Sequence, residues 1–362
     1  SLYMHNVLGY FFLALILLLF FYSIFSFGGF LSGILEEYLY FIYLILHFED
    51  PILSFFSNSV LEGIIAGLVI AIPYLIPFYI LLAVLEDSGY LSRIAYLTDG
   101  FMHRIGLHGK AFIPIVLGYG CSVPACIGCR IMENRKQQFT TAFLVTLIPC
   151  AARSIIIFSL VAAFLGAEIA LLIYVFNLVV VLILGFIASF FIKGETPAMI
   201  MNMPSYKLPD FPSIFSRTFF RIRNFIFIAF PIIILSTLLI NFMDYFNLLH
   251  YISDFLSPIT VDILGLPAIL GITLIVGILR KELIVLLLAS LLGTSDFGSI
   301  LTPIQIIVFT IVSVFYIPCA ATIATLYKEF GLKKTFYITI FDIVFAILLG
   351  FVIKIILSSF FF

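Results

Sequence analysis

Residues 117–130 combine three cysteines with three glycines and a proline inside an otherwise apolar segment. Proline removes a backbone donor and glycine loosens a helix, so we expect the freed carbonyls to face protein or a water-filled cavity rather than lipid. Thiolates at such a break are soft ligands for a transition metal, and broken membrane helices are where transporters bind their cargo. The stretch therefore predicts a metal-binding break, formed by Gly118, Gly120, Cys121, Pro124, Cys126 and Cys129.

Two further cysteines lie next to prolines in apolar segments. Cys150 directly follows Pro149, and Cys319 directly follows Pro318. A proline kink loosens carbonyls beside the thiol, so that both groups can point the same way. We therefore place Cys150 and Cys319 on the same candidate metal path as Cys121.

Cys126 and Cys129 also have a purely structural interpretation. A cysteine in an apolar segment is usually a small buried side chain, and packing explains these two adequately. At i, i+3 they share a helix face, and only a break at Pro124 would let both converge with Cys121. Because the five cysteines are odd in number and lie within hydrophobic segments, they make a poor disulfide framework.

The composition identifies the solvent of this chain. Apolar residues make up 64% of its 362 residues and charged residues only 10%, and the mean hydropathy is +1.27. Soluble domains have about 45–50% apolar and 25% charged residues. The chain is therefore expected to be a multi-pass protein of the plasma membrane. Its net charge of −1 favours neither a nucleic-acid partner nor a basic lipid-binding surface.

Seven segments are long and apolar enough to cross a bilayer. Two more, Ala111–Cys129 and Leu266–Leu292, contain helix-breaking or charged residues, and we name them the first and second gate segments. We interpret Leu31–Leu61 as helices lying in the outer interface. The predicted crossings are Val7–Phe30, Gly63–Leu85, Gln137–Ala167, Ile169–Ile192, Phe225–Met243, Phe297–Tyr327 and Thr335–Phe362.

The loop charges bear on how the gate segments are arranged. By the positive-inside rule, Glu86–Lys110 and Lys193–Arg223 are cytoplasmic. With these loops inside, a full crossing by the first gate segment would place the basic residues of 130–136 outside, and a full crossing by the second would place those of 328–334 outside. Two re-entrant or broken gate segments remove both conflicts, as an inverted repeat would, and place Phe362 outside.

The predicted fold is therefore an all-α polytopic membrane protein, with about seven to nine transmembrane helices and two broken or re-entrant gate segments. We interpret residues 1–362 as a single membrane domain. Within it we place a first gate region at 86–165, a cytoplasmic connector at 193–224 and a second gate region at 254–327.

Charged residues at membrane depth cost roughly 2.5–3.5 kcal/mol each on insertion scales, so each is a functional hypothesis. Arg153 either neutralises a carboxylate such as Glu86 or Glu133, which we favour, or repels cations until one displaces it. Lys281 and Glu282 form either a structural ion pair or, with Glu282 released, an oxygen ligand for a metal.

Other polar groups also have two interpretations. Glu86 and Asp87 end a predicted crossing, so they either face water or form an acidic vestibule that collects cations. The five histidines fall in predicted loops or interfaces and are expected to be solvated. Among them, His103 and His108 lie at the entrance of the first gate segment, where they could relay metal. Asp342 is expected to bond a neighbouring helix.

Signatures of enzymes are absent from this sequence. It contains no Gly-x4-Gly-Lys-[Ser/Thr] phosphate loop, and Gly109-Lys110-Ala111 is the nearest approach to one. We also find no haem ligand pair, no dinucleotide-binding fingerprint and no hydrolase triad. The sequence therefore predicts that this chain is not an enzyme and binds no nucleotide.

The motifs resemble the membrane domain of the FeoB-type ferrous iron transport proteins. They occur in the order of that family and extend over nearly the whole chain. The sequence departs from the family pattern at Ser122, where asparagine is usual, and in the extra thiols Cys126 and Cys129. The matching motifs are Leu85-Glu86-Asp87-Ser88-Gly89-Tyr90, Gly118-Tyr119-Gly120-Cys121-Ser122-Val123-Pro124, Pro149-Cys150-Ala151-Ala152-Arg153, Lys281-Glu282 and Pro318-Cys319-Ala320-Ala321-Thr322.

The resemblance implies two gate segments, Fe²⁺ as the transported ion and import into the cytoplasm. It also implies coupling to an N-terminal GTP-binding domain that is not part of this sequence, and small cytoplasmic accessory proteins of iron uptake as partners. Whether copies form a homo-oligomer is left open. The candidate path residues are Cys121, Cys150, Cys319, Cys126, Cys129, Glu86, Asp87, Glu133 and Glu282, and the gate structure rests on Gly118, Gly120, Pro124, Pro149, Arg153, Lys281 and Pro318.

Three alternatives remain at this point. Zn²⁺ and Cu²⁺ bind the same ligands at least as tightly as Fe²⁺, so another divalent metal fits the same residues. Gate segments also resemble those of nucleoside carriers, which favours an organic solute if the pocket is aromatic and amide-lined. A membrane redox enzyme or metal sensor that uses Cys121, Cys126 and Cys129 would need a cofactor site.

Overall fold

The computed structural model describes residues 8–45, 59–61, 63–65, 68, 72–191, 207–246, 248–279, 281, 283–292 and 296–360. These residues are helical and contain no β-strand. Long runs of Leu, Ile, Val and Phe explain this, because a helix satisfies every backbone group within its own segment where water is absent. The predicted all-α membrane architecture is confirmed.

Fifteen α-helices are numbered here in chain order. They are α1 Leu8–Ile45, α2 Ile72–Asp87, α3 Tyr90–Arg104, α4 Phe112–Gly120, α5 Ser122–Gly128, α6 Arg135–Leu147, α7 Ala151–Ile156, α8 Ala167–Phe191, α9 Phe211–Tyr245, α10 Leu248–Ser257, α11 Ala268–Leu279, α12 Leu283–Leu292, α13 Pro303–Phe315, α14 Ala320–Phe330 and α15 Leu332–Phe360. Wider π-helical turns extend α7 through Ala162 and α10 through Ile263.

Five spans among the described residues are long and apolar enough to cross a membrane, and seven if each of two bent pairs counts as one span. The helices of the first bent pair, α2 and α3, meet at 82° at Gly89, which has a φ of 75°. The second bend, of 112°, separates residues 254–263 from α11. The five spans are Gly9–Leu39, Arg135–Ala162, Ala167–Phe190, Pro303–Phe330 and Leu332–Ser359.

One sequence interpretation needs correction. No separate interfacial helix begins at Leu31, because α1 runs unbroken to Ile45, and residues 46–58 lie outside the described part. The stretch between Leu8 and Ile45 contains no proline, so nothing forces the helix to end earlier. The predicted connector at 193–224 overlaps α9, which begins at Phe211 and carries Arg217, Arg221 and Arg223; its cytoplasmic side stays a prediction.

The chain forms two compact units. Unit 1 comprises Ser1–Gly120, Gly128–Thr141 and Gly185–Leu238, and unit 2 comprises Cys121–Ile127, Ala142–Leu184 and Leu239–Phe362. In unit 1, α1 packs closely on α2, where a Cβ at Gly28 would lie 2.5 Å from a ring carbon of Tyr74. In unit 2, α13 packs against α15 and is almost completely buried.

Both gate segments are broken, as predicted. In the first, α4 ends at Gly120 and α5 begins at Ser122. Pro124 has no N–H with which to bond the carbonyl of Gly120, so one continuous helix cannot pass through. In the second, α11 ends at Leu279 and α12 begins at Leu283, with Lys281 between them. Re-entry from opposite faces, an approach of Cys121 to Lys281 and the side of Phe362 stay predictions.

The order of elements repeats along the chain. A broken gate segment (α4 and α5) precedes a span with an internal break (α6 and α7) and then an uninterrupted span (α8). The second gate segment (α11 and α12) is followed by a second broken span (α13 and α14) and by the uninterrupted α15. This order is what a structural repeat requires. The inverted orientation of the two repeats stays a prediction.

The close packing at Gly120 gives a test of the first break. A Cβ at this position would lie 2.5 Å from Cε2 of Phe78, a side chain that is only 1% exposed and has little room to move. We expect Gly120→Ala to lower the free energy of unfolding by about 1–3 kcal/mol, as overpacking does. Thermal unfolding of the detergent-solubilised protein measures this.

Gly100→Ala is the matched control, because nothing lies within 4 Å of a Cβ at this helical glycine. It should leave stability unchanged or raise it by up to about 1 kcal/mol. Equal melting temperatures for the two variants would show that Phe78 does not constrain Gly120.

Candidate functional site

Two broken spans of unit 2 present a cysteine in the same way. Cys150 precedes α7 with φ −70° and ψ 173°, and Cys319 precedes α14 with φ −62° and ψ 156°. In each case the preceding proline cannot donate to the helix before it, and the cysteine occupies the N-cap position of the next helix without a side-chain hydrogen bond to it. The Pro-Cys-Ala-Ala sequence thus produces the same local geometry twice.

The break at Cys150, between α6 and α7, is held together by Arg153. This side chain is 1% exposed, and Nη1 donates to the carbonyls of Thr146 and Ile148, at 3.0 Å for Ile148. Nη2 donates to the carbonyl of Tyr316 at 3.1 Å, so one guanidinium joins both breaks. Asn177 adds a bond of 3.0 Å from Nδ2 to the carbonyl of Leu147. The carbonyls at the end of α6 therefore have protein donors.

The break at Cys319, between α13 and α14, is held by Lys281. Its Nζ donates to the carbonyls of Ser313 at 3.3 Å and Tyr316 at 3.4 Å, and the side chain is 2% exposed. Nζ also lies 4.6 Å from the centroid of the Tyr316 ring, a cation–π contact. The phenol of Tyr316 donates to the carbonyl of Leu274. Residues of the second gate segment and of the broken span α13–α14 are thereby joined.

These contacts replace the partners expected from the sequence. The expectation that Arg153 neutralises Glu86 or Glu133 is wrong, because its hydrogen bonds go to carbonyls. Glu86 pairs with Arg221 instead. Tyr316, whose carbonyl accepts from both side chains, was not among the residues predicted from the sequence. Its position two residues before Pro318 is a signal that could have indicated it.

Charge in this part of unit 2 is unevenly distributed. Arg153 and Lys281 are buried basic side chains, and the fully buried Asp342 on α15 interacts electrostatically with both. Cys150 and Cys319 are within electrostatic range of Lys281. Unlike these two side chains, Cys150 and Cys319 are partly exposed residues. Cys319 Sγ lies 3.1 Å from Thr322 Oγ1, so its thiol is oriented by a neighbouring hydroxyl.

The gate-segment cysteines divide by exposure. Cys121 lies at the break itself and is partly exposed, whereas Cys126 and Cys129 are 0% and 1% exposed. All five cysteines lie in the described part of the chain and form no disulfide. The partial exposure of Cys121 suits a metal path better than the burial of the other two.

The carboxylates of the candidate path have cationic or backbone partners. Glu86 pairs with Arg221 at 2.8 Å and Arg217 at 3.7 Å, and Asp87 accepts from the backbone N–H of Asp210 at 2.8 Å. Such exposed ion pairs stabilise a protein by only about 0–1 kcal/mol, so a metal ion could compete with them.

Glu133 is exposed and pairs with Lys110 at 2.8 Å. The hydrogen bond and charge of Lys110 hold the pKa of Glu133 below its ordinary value. Glu282 lies outside the described residues.

Among the described residues, the side chains grouped closely enough to bind a metal ion lie elsewhere in the chain. The one group of three or more His, Cys, Asp or Glu side chains with ligand atoms within 4.8 Å of one another is Asp99, His103 and His108. Cys121, Cys150 and Cys319 are not gathered to that degree. A site built from these thiols would need the breaks to move or further oxygen ligands.

Comparison with protein families identifies the chain. A family model named Gate and described as nucleoside recognition matches residues 68–164 and 226–333, more than half of the chain. A model described as the ferrous iron transport protein B C terminus matches residues 170–221. The chain belongs to the FeoB family. It is accordingly a multi-pass protein of the plasma membrane.

Curated FeoB relatives are similar over most of the chain. The Fe(2+) transporter FeoB of Staphylococcus aureus strain MSSA476 is 28% identical over 327 residues, which are 83% of this chain and 49% of the relative. That of Methanocaldococcus jannaschii is 29% identical over 84% of this chain and 50% of the relative. That of Campylobacter jejuni is 30% identical over 83% and 55%. The chain spans about half the length of these relatives, and no solved structure matches it.

The bridging role of Arg153 is testable. We expect Arg153→Lys to lower the free energy of unfolding by about 3 kcal/mol, because one ammonium cannot reach carbonyls of both breaks and buried carbonyls lose their donors. Thermal unfolding in detergent measures the loss.

Arg135→Lys is the control, since Arg135 is exposed and bonds Gln138 at 3.3 Å. It should change stability by less than about 0.5 kcal/mol. A similar small effect for Arg153→Lys would contradict the assigned bridge.

Proposed function

We propose that this chain is the membrane pathway of an Fe²⁺ importer, in which Cys150 and Cys319 are the principal ligands for the passing ion. The observation that carries the proposal is the pair of equivalent breaks in unit 2, each with a partly exposed thiol at the start of a helix. The names of the curated relatives supply the ion, since they are Fe(2+) transporters.

The different surroundings of the basic side chains and of the cysteines support this assignment. Arg153 and Lys281 are buried and tied to carbonyls, so they serve to keep the breaks in shape. Cys150 and Cys319 are accessible and are not used as backbone caps. A cysteine binds metal as a thiolate, so arrival of the ion releases a proton and its departure takes one up.

Cys121 is proposed as a further ligand at the first gate, because the break in the backbone and the partial exposure coincide there. Fe²⁺ accepts both sulfur and oxygen ligands, so backbone carbonyls or Glu282 could complete its coordination. Such mixed ligation would disfavour Mg²⁺ and Ca²⁺. Zn²⁺ and Cu²⁺ would bind at least as tightly, so metal availability must contribute to selectivity.

The carboxylates are assigned to the approaches of the path. Glu86, Asp87 and Glu133 are proposed to attract cations near the surface, in exchange for their present pairing with Arg221, Arg217 and Lys110. Cys126 and Cys129 are assigned to packing rather than to the path, because both are buried and the backbone around them would have to rearrange before either could bind a passing ion.

Partners beyond the bilayer follow from the relatives. The FeoB relatives are about twice as long as this chain, and this supports a GTP-binding domain as the partner that drives transport. Small cytoplasmic accessory proteins and a homo-oligomer are further proposed partners. The membrane part itself is proposed to be a transporter without enzymatic activity.

An organic solute such as a nucleoside is the second candidate, because the Gate family is described by nucleoside recognition. Thiols at both breaks favour a metal over that solute. The amide of Asn177, which could recognise a base, donates to the carbonyl of Leu147. Nucleoside uptake that Fe²⁺ does not affect would favour this alternative.

Single thiol substitutions test the metal path. We expect Cys150→Ser and Cys319→Ser each to weaken Fe²⁺ binding at least about tenfold, equivalent to about 1.4 kcal/mol, because serine keeps the size but loses the soft ligand. Cys121→Ser should impair uptake in the same direction. The measurements are anaerobic Fe²⁺ binding to the chain in nanodiscs and uptake into proteoliposomes.

Cys126→Ser is the matched control, since this thiol is completely buried. It should bind Fe²⁺ within about twofold of the unmodified chain. If Cys150→Ser and Cys319→Ser proteins of normal stability bind as tightly as this control, the two thiols do not form the path.

Absence of a phosphate loop gives a separate expectation. Purified chain should show no saturable GTP binding and no GTP hydrolysis, because no segment of the sequence offers the glycine-rich backbone that cradles phosphates. Equilibrium binding of a fluorescent GTP analogue measures this. Stoichiometric binding would refute it.

A further inference from the structure

Asp99, His103 and His108 come together in unit 1, away from any cysteine motif in the sequence. One ligand atom of each side chain lies within 4.8 Å of those of the other two. Asp99 and His103 are one turn apart on α3, and His103 Nε2 lies 3.2 Å from Asp99 Oδ2. His108 follows the end of the helix, and its ring centroid is 5.1 Å from that of His103.

The loop that carries His108 is fixed against α3. Gly106 has a φ of 73°, which reverses the chain, and the N–H of Leu107 donates to the carbonyl of Met102 at 3.0 Å. The N–H of Gly109 donates to Asp99 Oδ1 at 2.6 Å. A Cβ at Gly109 would lie 1.8 Å from the carbonyl oxygen of Ala95, so the loop touches the helix backbone. The three side chains are therefore held in place by the fold.

His108 lacks a structural explanation of its own. It is only 8% exposed, and within the described part of the chain its Nδ1 has no hydrogen-bond partner. Buried polar atoms are normally hydrogen-bonded, and an exception calls for a cause such as a bound ion. The expectation from sequence that the histidines are solvated is wrong for His108.

Burial and several neighbouring groups act on His108. Burial and the adjacent His103 lower the pKa of His108 below its ordinary value, while Asp99 acts in the opposite direction. Lys110, two residues after His108, pairs with Glu133 at 2.8 Å.

We propose that Asp99, His103 and His108 form a binding site for a divalent transition-metal ion. Two imidazoles and one carboxylate suit Fe²⁺, Zn²⁺ and Co²⁺ and are poor ligands for Mg²⁺ or Ca²⁺. Metal–ligand bonds of about 2.0–2.2 Å keep any two ligand atoms within about 4.4 Å, so binding requires only a small closure of the present arrangement. The ion takes the place of the proton between His103 and Asp99.

A purely structural interpretation explains two of the three residues. Asp99 caps the N–H of Gly109, and its contact with His103 is an ordinary helix pair. Neither interaction uses Nδ1 of His108 or accounts for its burial. The site contains no sulfur and does not depend on the proposed transport path, so each can fail without the other.

Co²⁺ titration of the full chain in nanodiscs tests the proposal. The titration uses a Cys121→Ser, Cys150→Ser, Cys319→Ser background, which removes the accessible thiols. We expect one equivalent of Co²⁺ to remain bound, with the visible absorption of nitrogen and oxygen ligands and no thiolate charge-transfer band. His108→Gln and His103→Gln should each weaken this binding at least about tenfold.

His250→Gln in the same background is the matched control and should bind Co²⁺ like its parent. Asp99→Asn keeps an oxygen to accept from Gly109 but loses the charge, so it should weaken binding without unfolding the loop. If the buried His108 variant fails to fold, His103→Gln decides, since His103 is 39% exposed. Equal affinity in His103→Gln and His250→Gln, or only weak binding indifferent to both, would overturn the site.

Discussion

Backbone carbonyls at the breaks of membrane helices are the constraint on which this structure depends. Lipid cannot satisfy a carbonyl that a proline has freed, so protein donors must. Arg153 and Lys281 supply them, and both donate to the same carbonyl oxygen, that of Tyr316. Without these two cations the Pro-Cys breaks would be costly defects. With them, the breaks are stable features that can carry accessible thiols.

The same constraint explains other charged residues of the membrane part. Lys354 on α15 donates at 3.1 Å to the carbonyls of both Asp262 and Ile263, where a π-helical turn ends. Gln305 donates to the carbonyl of Gly265 beside it. A charge at membrane depth thus indicates a disturbed backbone nearby as readily as it indicates a ligand. A candidate ligand must therefore be judged by its exposure as well as by its charge. The cysteines at the breaks, Cys121, Cys150 and Cys319, are partly exposed.

Much of the fold could be predicted from local features, because each is dictated by a single residue type. Pro124, Pro149 and Pro318 each remove a backbone donor close to an observed break, and long apolar runs specify spans. The partners could not be predicted. Arg153 meets a carbonyl 163 residues away, and no sequence pattern says that a backbone oxygen, rather than a carboxylate, would be its acceptor. The burial of His108 could not be predicted for a similar reason, since it depends on the turn at Gly106.

Electrostatics connects the side chains that stabilise the breaks, Arg153 and Lys281, to the proposed path. A divalent ion bound at Cys150 and Cys319 would lie near Lys281, which interacts electrostatically with both thiols. A positive charge near a divalent ion repels it, and the repulsion is stronger in a partly buried site than in water. Thiolates alone would make a tight site that releases its ion slowly, whereas conduction requires binding weak enough to reverse. The cations that stabilise the breaks would therefore also keep the proposed thiol site from becoming a trap.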